Sequence, residues 1–376
     1  MAEIKRAEAP SREEERSTLA RAAGVAWFSA RLIAALYLFI GALQILKTGA
    51  GGLAALDQGG IFIRNAASTF GLGWIGAMLT LSGSTMATTG LTLRATGAIS
   101  EVQGFTMVTG ARLGAAFVVL LVAVIYALRN PGPGRKKTVS VAVLALAITA
   151  VIYVPGAVIG FFLLGSEFFS ALHLTAPPAF GNLIDALYDW MLTPISSWPP
   201  LLLFLGGVGL LVFAFRSVDA LVPEIDETHF KGRLGWLRRK WPMFFLGFVV
   251  VIATLSVSVA LTVLVPLVAK GYVKREHLIP YIIGADLGTL VDKLLIAFVV
   301  GVGSRYPGSP PRIIIAELIG TTIVGLIIMA FFYIPTRRLV WRFQRFVTKN
   351  QLRLAVFTAC LLATPITIIG VAALAG

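Results

Sequence analysis

Apolar residues run through this chain in stretches of spanning length, near 24–46, 106–128, 138–164, 199–215, 278–302, 312–335 and 354–375. A helix of about 20 apolar residues crosses the ~30 Å hydrocarbon core of a bilayer, so each stretch predicts a transmembrane helix. Two further runs, 71–97 and 245–270, are as long but are interrupted by Gly, Ser, Thr and Pro266. The stretches 47–70 and 177–192 are mixed in polarity and predict interfacial helices, while residues 1–22 read as a flexible polar tail.

The two interrupted runs carry one pattern twice. Thr80-Leu81-Ser82-Gly83-Ser84 recurs as Thr254-Leu255-Ser256-Val257-Ser258, an offset of 174 residues. At the same offset, Gly110-Ala111-Arg112-Leu113-Gly114 recurs as Gly284-Ala285-Asp286-Leu287-Gly288. Between them Thr88/Thr262, Leu93/Leu267, Ala95/Ala269 and Gly97/Gly271 match without a gap. Two linked motifs in register mark a duplicated unit. In a membrane protein, a duplicated small and hydroxylated segment points to a transporter with its site between two repeats.

Composition supports the membrane assignment, with 57% hydrophobic residues, 13% charged and a mean hydropathy of +0.86. The net charge of +14 does not imply nucleic acid, because the basic residues lie in short loops and tails beside the spans. Their distribution decides the topology. If every run crossed, with Lys5, Arg6, Arg12, Arg16 and Arg21 inside, the cluster Arg129, Arg135, Lys136 and Lys137 would fall outside. If instead 71–97 and 245–270 dip in and return on one side, that cluster falls inside. So do Arg216, the basic loop 217–242, Lys270, Lys274, Arg275 and the cluster Arg337–Lys349. Loop 165–198, acidic and without Lys or Arg, falls outside with only Lys47, Arg64, Arg94, Arg305 and Arg312. Arg31, Arg112 and Lys293 remain within spans.

The expected fold is therefore an all-α polytopic membrane protein of two inverted-topology repeats. Each repeat has three transmembrane helices and a re-entrant broken-helix hairpin, and an extra span follows at the C-terminal side. The expected organisation is a cytoplasmic tail at 1–22, repeat 1 at 23–165 and an extracellular loop at 166–198. Repeat 2 occupies 199–336 with the cytoplasmic loop 217–242, and a basic linker and further span occupy 337–376. No secretory signal is recognisable at 1–22, which suits a plasma membrane with the N-terminus cytoplasmic. Cys360 lies alone in the last apolar run, so disulfides are not expected.

Opposed hairpin tips would meet near the midplane, where non-helical backbone is tolerated only in protein or beside a cavity. Broken helices there expose N–H groups at a positive dipole end. Ser82, Gly83, Ser84, Thr85, Ser256 and Ser258 have the small, hydroxylated chemistry for phosphate, sulfate or carboxylate. Carbonyls and hydroxyls at the same break suit Na⁺, with Ser84, Ser258 and Asp286 as candidate ligands. Thr88, Thr262 and Thr289 are further ion-coupling candidates. Small residues also permit close helix packing, but duplication on opposed hairpins favours a site.

Arg112 and Asp286 occupy equivalent positions in the two units. Charges at that depth are costly, so mutual pairing is expected. Either Arg112 holds an anion while Asp286 serves a cation or proton, or the two form a lock between repeats. Asp292 and Lys293 read as a local pair, Glu317 as a weaker candidate of the same kind, and Arg31 as snorkelling. Three scattered His and one Cys make no metal-ligand cluster. No P-loop, dinucleotide fingerprint or nucleophile elbow occurs, so an enzyme is not expected.

These two units resemble those of the sodium-dependent phosphate cotransporter family, type II, whose repeats carry a Gln-Ser-Ser-Ser-type motif followed at this spacing by Gly-Ala-Asn-Ile-Gly. Leu38-Phe39-Ile40-Gly41 is similar to the family's opening helix, and the resemblance covers roughly 24–335. It implies inverted repeats, Na⁺-coupled uptake of inorganic phosphate and a site made by the paired Ser motifs. Leu81 and Leu255 stand where the family has Gln, and Gly83 and Val257 where it has the middle Ser. Arg112 and Asp286 replace the Asn of the second signature. Lost amides and hydroxyls remove ligands, so substrate and coupling ion transfer less firmly than fold.

The leading expectation is a secondary transporter of an inorganic anion, phosphate first, coupled to Na⁺ by alternating access. The partners would be that anion, Na⁺ or H⁺ and the bilayer, without nucleic acid or a cofactor other than the coupling ion; a homodimer is allowed. Alternatives are a related transporter with another anion or H⁺ coupling through Asp286, and a non-transporting sensor or scaffold. An intramembrane lipid-phosphate enzyme lacks its acid–base cluster here.

Overall fold

In the computed structural model the described residues are 12–55, 60, 62–129, 135–171, 174–175, 177–219, 239–254 and 277–374. All regular structure among them is helical. Six helices are long and apolar enough to cross a membrane, as in a multi-pass membrane protein.

In chain order the helices are α1 Arg12–Ala55, α2 Ala66–Thr80, α3 Gly83–Thr96, α4 Glu101–Arg129, α5 Arg135–Leu164, α6 Glu167–Ser170 and α7 Pro178–Ile195. There follow α8 Pro200–Asp219, α9 Lys240–Thr254, α10 Leu278–Gly301, α11 Ser309–Ile327, α12 Tyr333–Val347 and α13 Gln351–Leu374. A π-helical turn, Ile328–Phe332, joins α11 to α12.

Several boundaries differ from expectation. Helix α1 begins inside the segment expected to be a tail and runs on to Ala55, so 47–55 belong to a long helix rather than an interfacial one. The segment expected to be interfacial at 177–192 is the helix α7. Helix α10 is 24 residues long but is absent from the six apolar spans, since Asp286, Asp292 and Lys293 interrupt it. All three of those side chains are buried by neighbouring helices. The second interrupted run lies largely outside the described residues, and with it Ser256, Ser258 and Thr262.

The first interrupted run is a helical hairpin. Asn65 starts α2 with a reciprocal cap: its Oδ1 accepts from the Ser68 amide at 2.9 Å, and its own amide donates to Ser68 Oγ at 2.9 Å. The helix stops at Leu81, which adopts a left-handed φ of 54°, a conformation that costs a non-glycine residue about 1–2 kcal/mol. Ser82 then caps α3, its Oγ accepting from the Thr85 amide at 3.2 Å. Arms of 15 and 14 residues measure about 22 Å, short of a ~30 Å crossing.

Both arms pack on α4. Phe70 and Trp74 carbonyls approach Gly110 and Gly114, so α2 runs parallel to α4. Gly83 lies against Ala111 and Ala115, Gly90 against Met107 and Gly104 against Arg94, so α3 runs antiparallel. The tip therefore stands beside the middle of α4.

The same contacts return 174 residues later. Helix α9 has the bounds of α2 shifted by that offset, and α11 starts where the shift places the start of α5. A Cβ at Gly73 would lie 2.1 Å from the Met107 carbonyl oxygen, and one at Gly247 2.1 Å from that of Tyr281. A Cβ at Gly110 would lie 2.0 Å from the Phe70 carbonyl oxygen, and one at Gly284 1.9 Å from that of Phe244. Even the irregularities correspond: Pro155 inside α5 matches the π-helical turn after α11.

Equivalent helices also pack on one another, and antiparallel. Gly52, Gly49 and Leu46 of α1 meet Pro200, Phe204 and Gly207 of α8, and the Phe39 and Phe215 rings cross at 5.3 Å. Gly156 of α5 lies against Gly320 and Thr321 of α11, and Gly160 against Ala316. Helix α13 stands outside this arrangement, held to α2 by Gly71 against Ile369 and by Arg64 Nη1 donating to the Ala373 carbonyl at 3.1 Å.

Glycine-mediated approach at these crossings leaves no room for a side chain. Gly110→Val and Gly284→Val should each lower stability by about 1–3 kcal/mol or more through overpacking, read as earlier thermal unfolding in detergent. Gly209→Ala, in open space, should leave the transition unmoved.

Candidate functional site

Helices α4 and α10 meet at Arg112 and Asp286, the equivalent positions of the two units. Arg112 is 6% and Asp286 4% exposed. Arg112 Nη2 donates to the Asp286 backbone carbonyl at 3.0 Å and to Thr289 Oγ1 at 2.5 Å. It also donates to Tyr153 Oη, which receives a second bond from Arg112 Nε at 3.1 Å. Tyr153 Oη in turn donates to the same Asp286 carbonyl at 2.8 Å.

Arg112 and Asp286 thus meet, but through the Asp286 backbone and not as the expected pair of charges. The Asp286 carboxylate is held instead by the Thr149 hydroxyl, at 2.9 Å from Oδ2. Thr149 and Tyr153 are four residues apart on α5 and so share one face. Asp286 and Thr289, three apart, do the same on α10. With its guanidinium engaged on three residues, Arg112 joins helices α4, α5 and α10 rather than facing an open space.

A second link crosses between the units at the hairpin tip. Lys293 of α10 is fully buried, and its Nζ donates to Ser84 Oγ at 2.9 Å and to Asp292 Oδ1 at 3.2 Å. Asp292 and Lys293 are the local pair the sequence suggested, with a long-range arm to Ser84 that it did not. Ser84 sits in the first turn of α3, where the helix dipole is positive. Lys293 therefore adds positive charge to a positive helix end, and does so at an oxygen considered for Na⁺.

The other tip residues have defined parts. Ser82 Oγ caps α3 and accepts the Thr85 hydroxyl at 2.9 Å. Gly83 permits contact with α4, since a Cβ there would meet that of Ala115 at 2.5 Å. Thr88 Oγ1 is buried with no hydrogen-bond partner among the described residues. Ser84 and Asp286 are not joined to one another by any contact among the described residues; each is bound into a separate cluster.

Glu317 of α11 completes the interior charges. It is 0% exposed, and neither carboxylate oxygen has a hydrogen-bond partner among the described residues. Arg112, Lys293 and the Thr109 hydroxyl face it, and Thr109 directs its own proton to the Phe105 carbonyl at 3.0 Å. Two bases, Arg112 and Lys293, thus stand among three acids, Asp286, Asp292 and Glu317.

Residues outside the core group by end of the bundle. Arg94 Nε donates to Ser309 Oγ at 2.8 Å, and Arg312 Nε pairs with Glu101 at 3.1 Å. Lys47 Nζ reaches the Val302 carbonyl at 2.8 Å. At another place Lys240 Nζ reaches the Met329 carbonyl at 2.8 Å, and Gln344 donates to Ser140 Oγ.

No protein-family model, curated protein or solved structure matches the chain. The described residues by themselves define the class, an all-helical protein with six helices able to cross a membrane and a buried charge cluster where α4, α5, α10 and α11 meet.

Removing Arg112 strands the groups it binds. Arg112→Gln should cost about 3–5 kcal/mol and Tyr153→Phe about 1–3 kcal/mol, measured by thermal or denaturant unfolding in detergent. Because both act on the Asp286 carbonyl, the double variant should cost less than the sum.

Proposed function

We propose that this chain is a secondary active transporter with two inverted repeats, carrying a small inorganic anion, phosphate first, by alternating access. Antiparallel packing of equivalent helices supports the inversion, because a two-fold axis in the membrane plane reverses helix direction across the bilayer. The hairpin arms, too short to cross, support a re-entrant segment. Lys47, Arg94 and Arg312, all assigned outside by charge, contact partners assigned to the same face, which supports placing them on one side; the cytoplasmic N-terminus and the plasma membrane rest on the charge distribution of the loops.

The observation that carries the anion is the Lys293 ammonium on Ser84 Oγ at 2.9 Å. A fixed cation from the second unit meets the positive end of α3 in the first. Helix N-termini bind phosphate through free amides and dipole, and a lysine strengthens the attraction as a point charge. Asp292 balances that lysine while the anion is away. Ser256 and Ser258 would bring the second motif to the same place from the opposed tip. The resemblance to the type II sodium–phosphate cotransporters accords with this assignment. In this scheme Arg112 holds the two units in register, and rocking of one unit against the other exposes the tips to alternate sides.

Uptake of radiolabelled phosphate into proteoliposomes, under an inward Na⁺ gradient, an inward proton gradient or neither, tests the proposal. Wild type should accumulate phosphate under at least one gradient. Lys293→Gln and the Ser84→Ala/Ser258→Ala double variant should lose about tenfold or more, the value of a charge-assisted hydrogen bond of roughly 1.5–3 kcal/mol. Absence of accumulation by monodisperse wild-type protein under either gradient would sink phosphate as the substrate.

A further inference from the structure

We propose that Glu317 is a proton-binding site, and that the proton it takes up and releases is the coupling ion of the transporter. This rests on the transporter assignment above and names the ion for the same interior cluster.

The argument begins with charge. Among the described residues, with all groups ionised, Arg112 and Lys293 leave one of Asp286, Asp292 and Glu317 without a counter-charge. Asp292 has Lys293 at 3.2 Å, and Asp286 has the Thr149 hydroxyl at 2.9 Å with Arg112 bound to its own backbone. Glu317 has neither ion pair nor hydrogen bond among the described residues. An ionised carboxylate in that condition loses its hydration with no hydrogen bond in return, and the two cations that face it are already engaged elsewhere, Lys293 with Asp292 and Arg112 with Tyr153, Thr289 and the Asp286 carbonyl. A bound proton removes the cost.

The hydrogen bonds around the site agree. The Thr109 hydroxyl faces Glu317 and reaches the Phe105 carbonyl at 3.0 Å: with its proton on that carbonyl it offers Glu317 a lone pair, and turned to Glu317 it donates, so one hydroxyl serves both states of the carboxyl. A lone pair suits the O–H of a carboxylic acid and repels a carboxylate. The groups facing Glu317 are Arg112 and Thr109 from α4, Tyr153 from α5 and Lys293 from α10, with Asp286 and Asp292 behind them. All are amino, guanidinium or hydroxyl groups except the two aspartates. A hard metal cation takes about six oxygen ligands, and no such oxygen cage surrounds Glu317 among the described residues. A proton needs one oxygen.

The position suits coupling. Glu101 pairs with Arg312, Gly104 meets Ile313 and Thr109 faces Glu317, so α4 and α11 run in parallel register. Contacts of α3 with α4 at Gly90 and Gly83 bracket Thr88 at the level of Thr109. Glu317 and the unpartnered Thr88 hydroxyl thus lie at one depth, within a turn or two of Ser84. When the units rock, a change in the distance from Glu317 to Arg112 and Lys293 would switch which state of the carboxyl is favoured. With those cations near and solvent admitted, the carboxylate is stabilised and the proton leaves.

Infrared spectroscopy of the purified full chain tests this without any transport. Wild type at neutral pH should show the carbonyl stretch of a protonated carboxylic acid. It should shift on labelling of glutamate carboxyls with carbon-13, vanish in Glu317→Gln and persist, displaced, in Glu317→Asp. Glu101→Gln, at a partly exposed ion pair, should keep it. A missing band, a band insensitive to glutamate labelling, or one that survives in Glu317→Gln overturns the proposal; the labelling arm needs no variant to fold. Loss of the band on adding Na⁺ at fixed pH also overturns it, since Na⁺ would then be the ion displacing the proton. In Na⁺-free proteoliposomes, Glu317→Gln should abolish phosphate accumulation under an inward proton gradient while retaining exchange of labelled for unlabelled phosphate. Accumulation that survives in the variant overturns proton coupling through this residue. If wild type carries no phosphate at all, the substrate assignment fails, and the infrared band still decides the proton site.

Discussion

The guanidinium of Arg112 is the group on which the interior depends. It reaches from α4 to Tyr153 of α5 and to the Asp286 carbonyl and Thr289 of α10. A charge placed among apolar helices survives only where every donor has an acceptor. Meeting that demand fixes the three helices relative to one another. Its Nε and Nη2 donors are engaged inside the protein.

Close glycine packing makes that meeting possible. Without a Cβ at Gly73, Gly110 and Gly114, the carbonyls of Met107, Phe70 and Trp74 approach to distances that no side chain allows. Association of helices in lipid gains little from hydrophobic burial and much from such approach. The hairpin then ends beside the middle of α4, where Leu81 holds a left-handed turn and Ser82 restarts the helix. Strain at that turn and capping by Ser82 belong to the same device, a break that presents a helix N-terminus at depth.

Charge is divided there between two tasks. Lys293 and Asp292 stand at the tip beside Ser84, and Glu317, which Arg112 and Lys293 face, has no hydrogen-bond partner among the described residues. With two bases and three acids among the described residues, a proton at Glu317 would bring the interior to balance.

Particular residues show how far the sequence carried. The break at Thr80–Ser84, most of the long apolar helices and the encounter of Arg112 with Asp286 were legible, since helix length, small-residue motifs and a repeated spacing are properties of the linear chain; the span expected at 278–302 is a helix that its buried charges keep out of the apolar set. Helix α1 was underestimated because its charged start does not carry the apolar signal, although charged residues propagate a helix well. Thr149, Tyr153 and the reach of Lys293 to Ser84 were not legible. Each looks in sequence like an isolated polar residue in an apolar run, and only the packing of α5 and α10 against α3 and α4 gives it a partner. What the sequence alone determined is that this chain is helical, with helices long and apolar enough to cross a membrane and a break at Thr80–Ser84. Only the tertiary structure decided which charges are satisfied and which is left over, because satisfaction is a matter of distances between helices that sequence spacing does not encode.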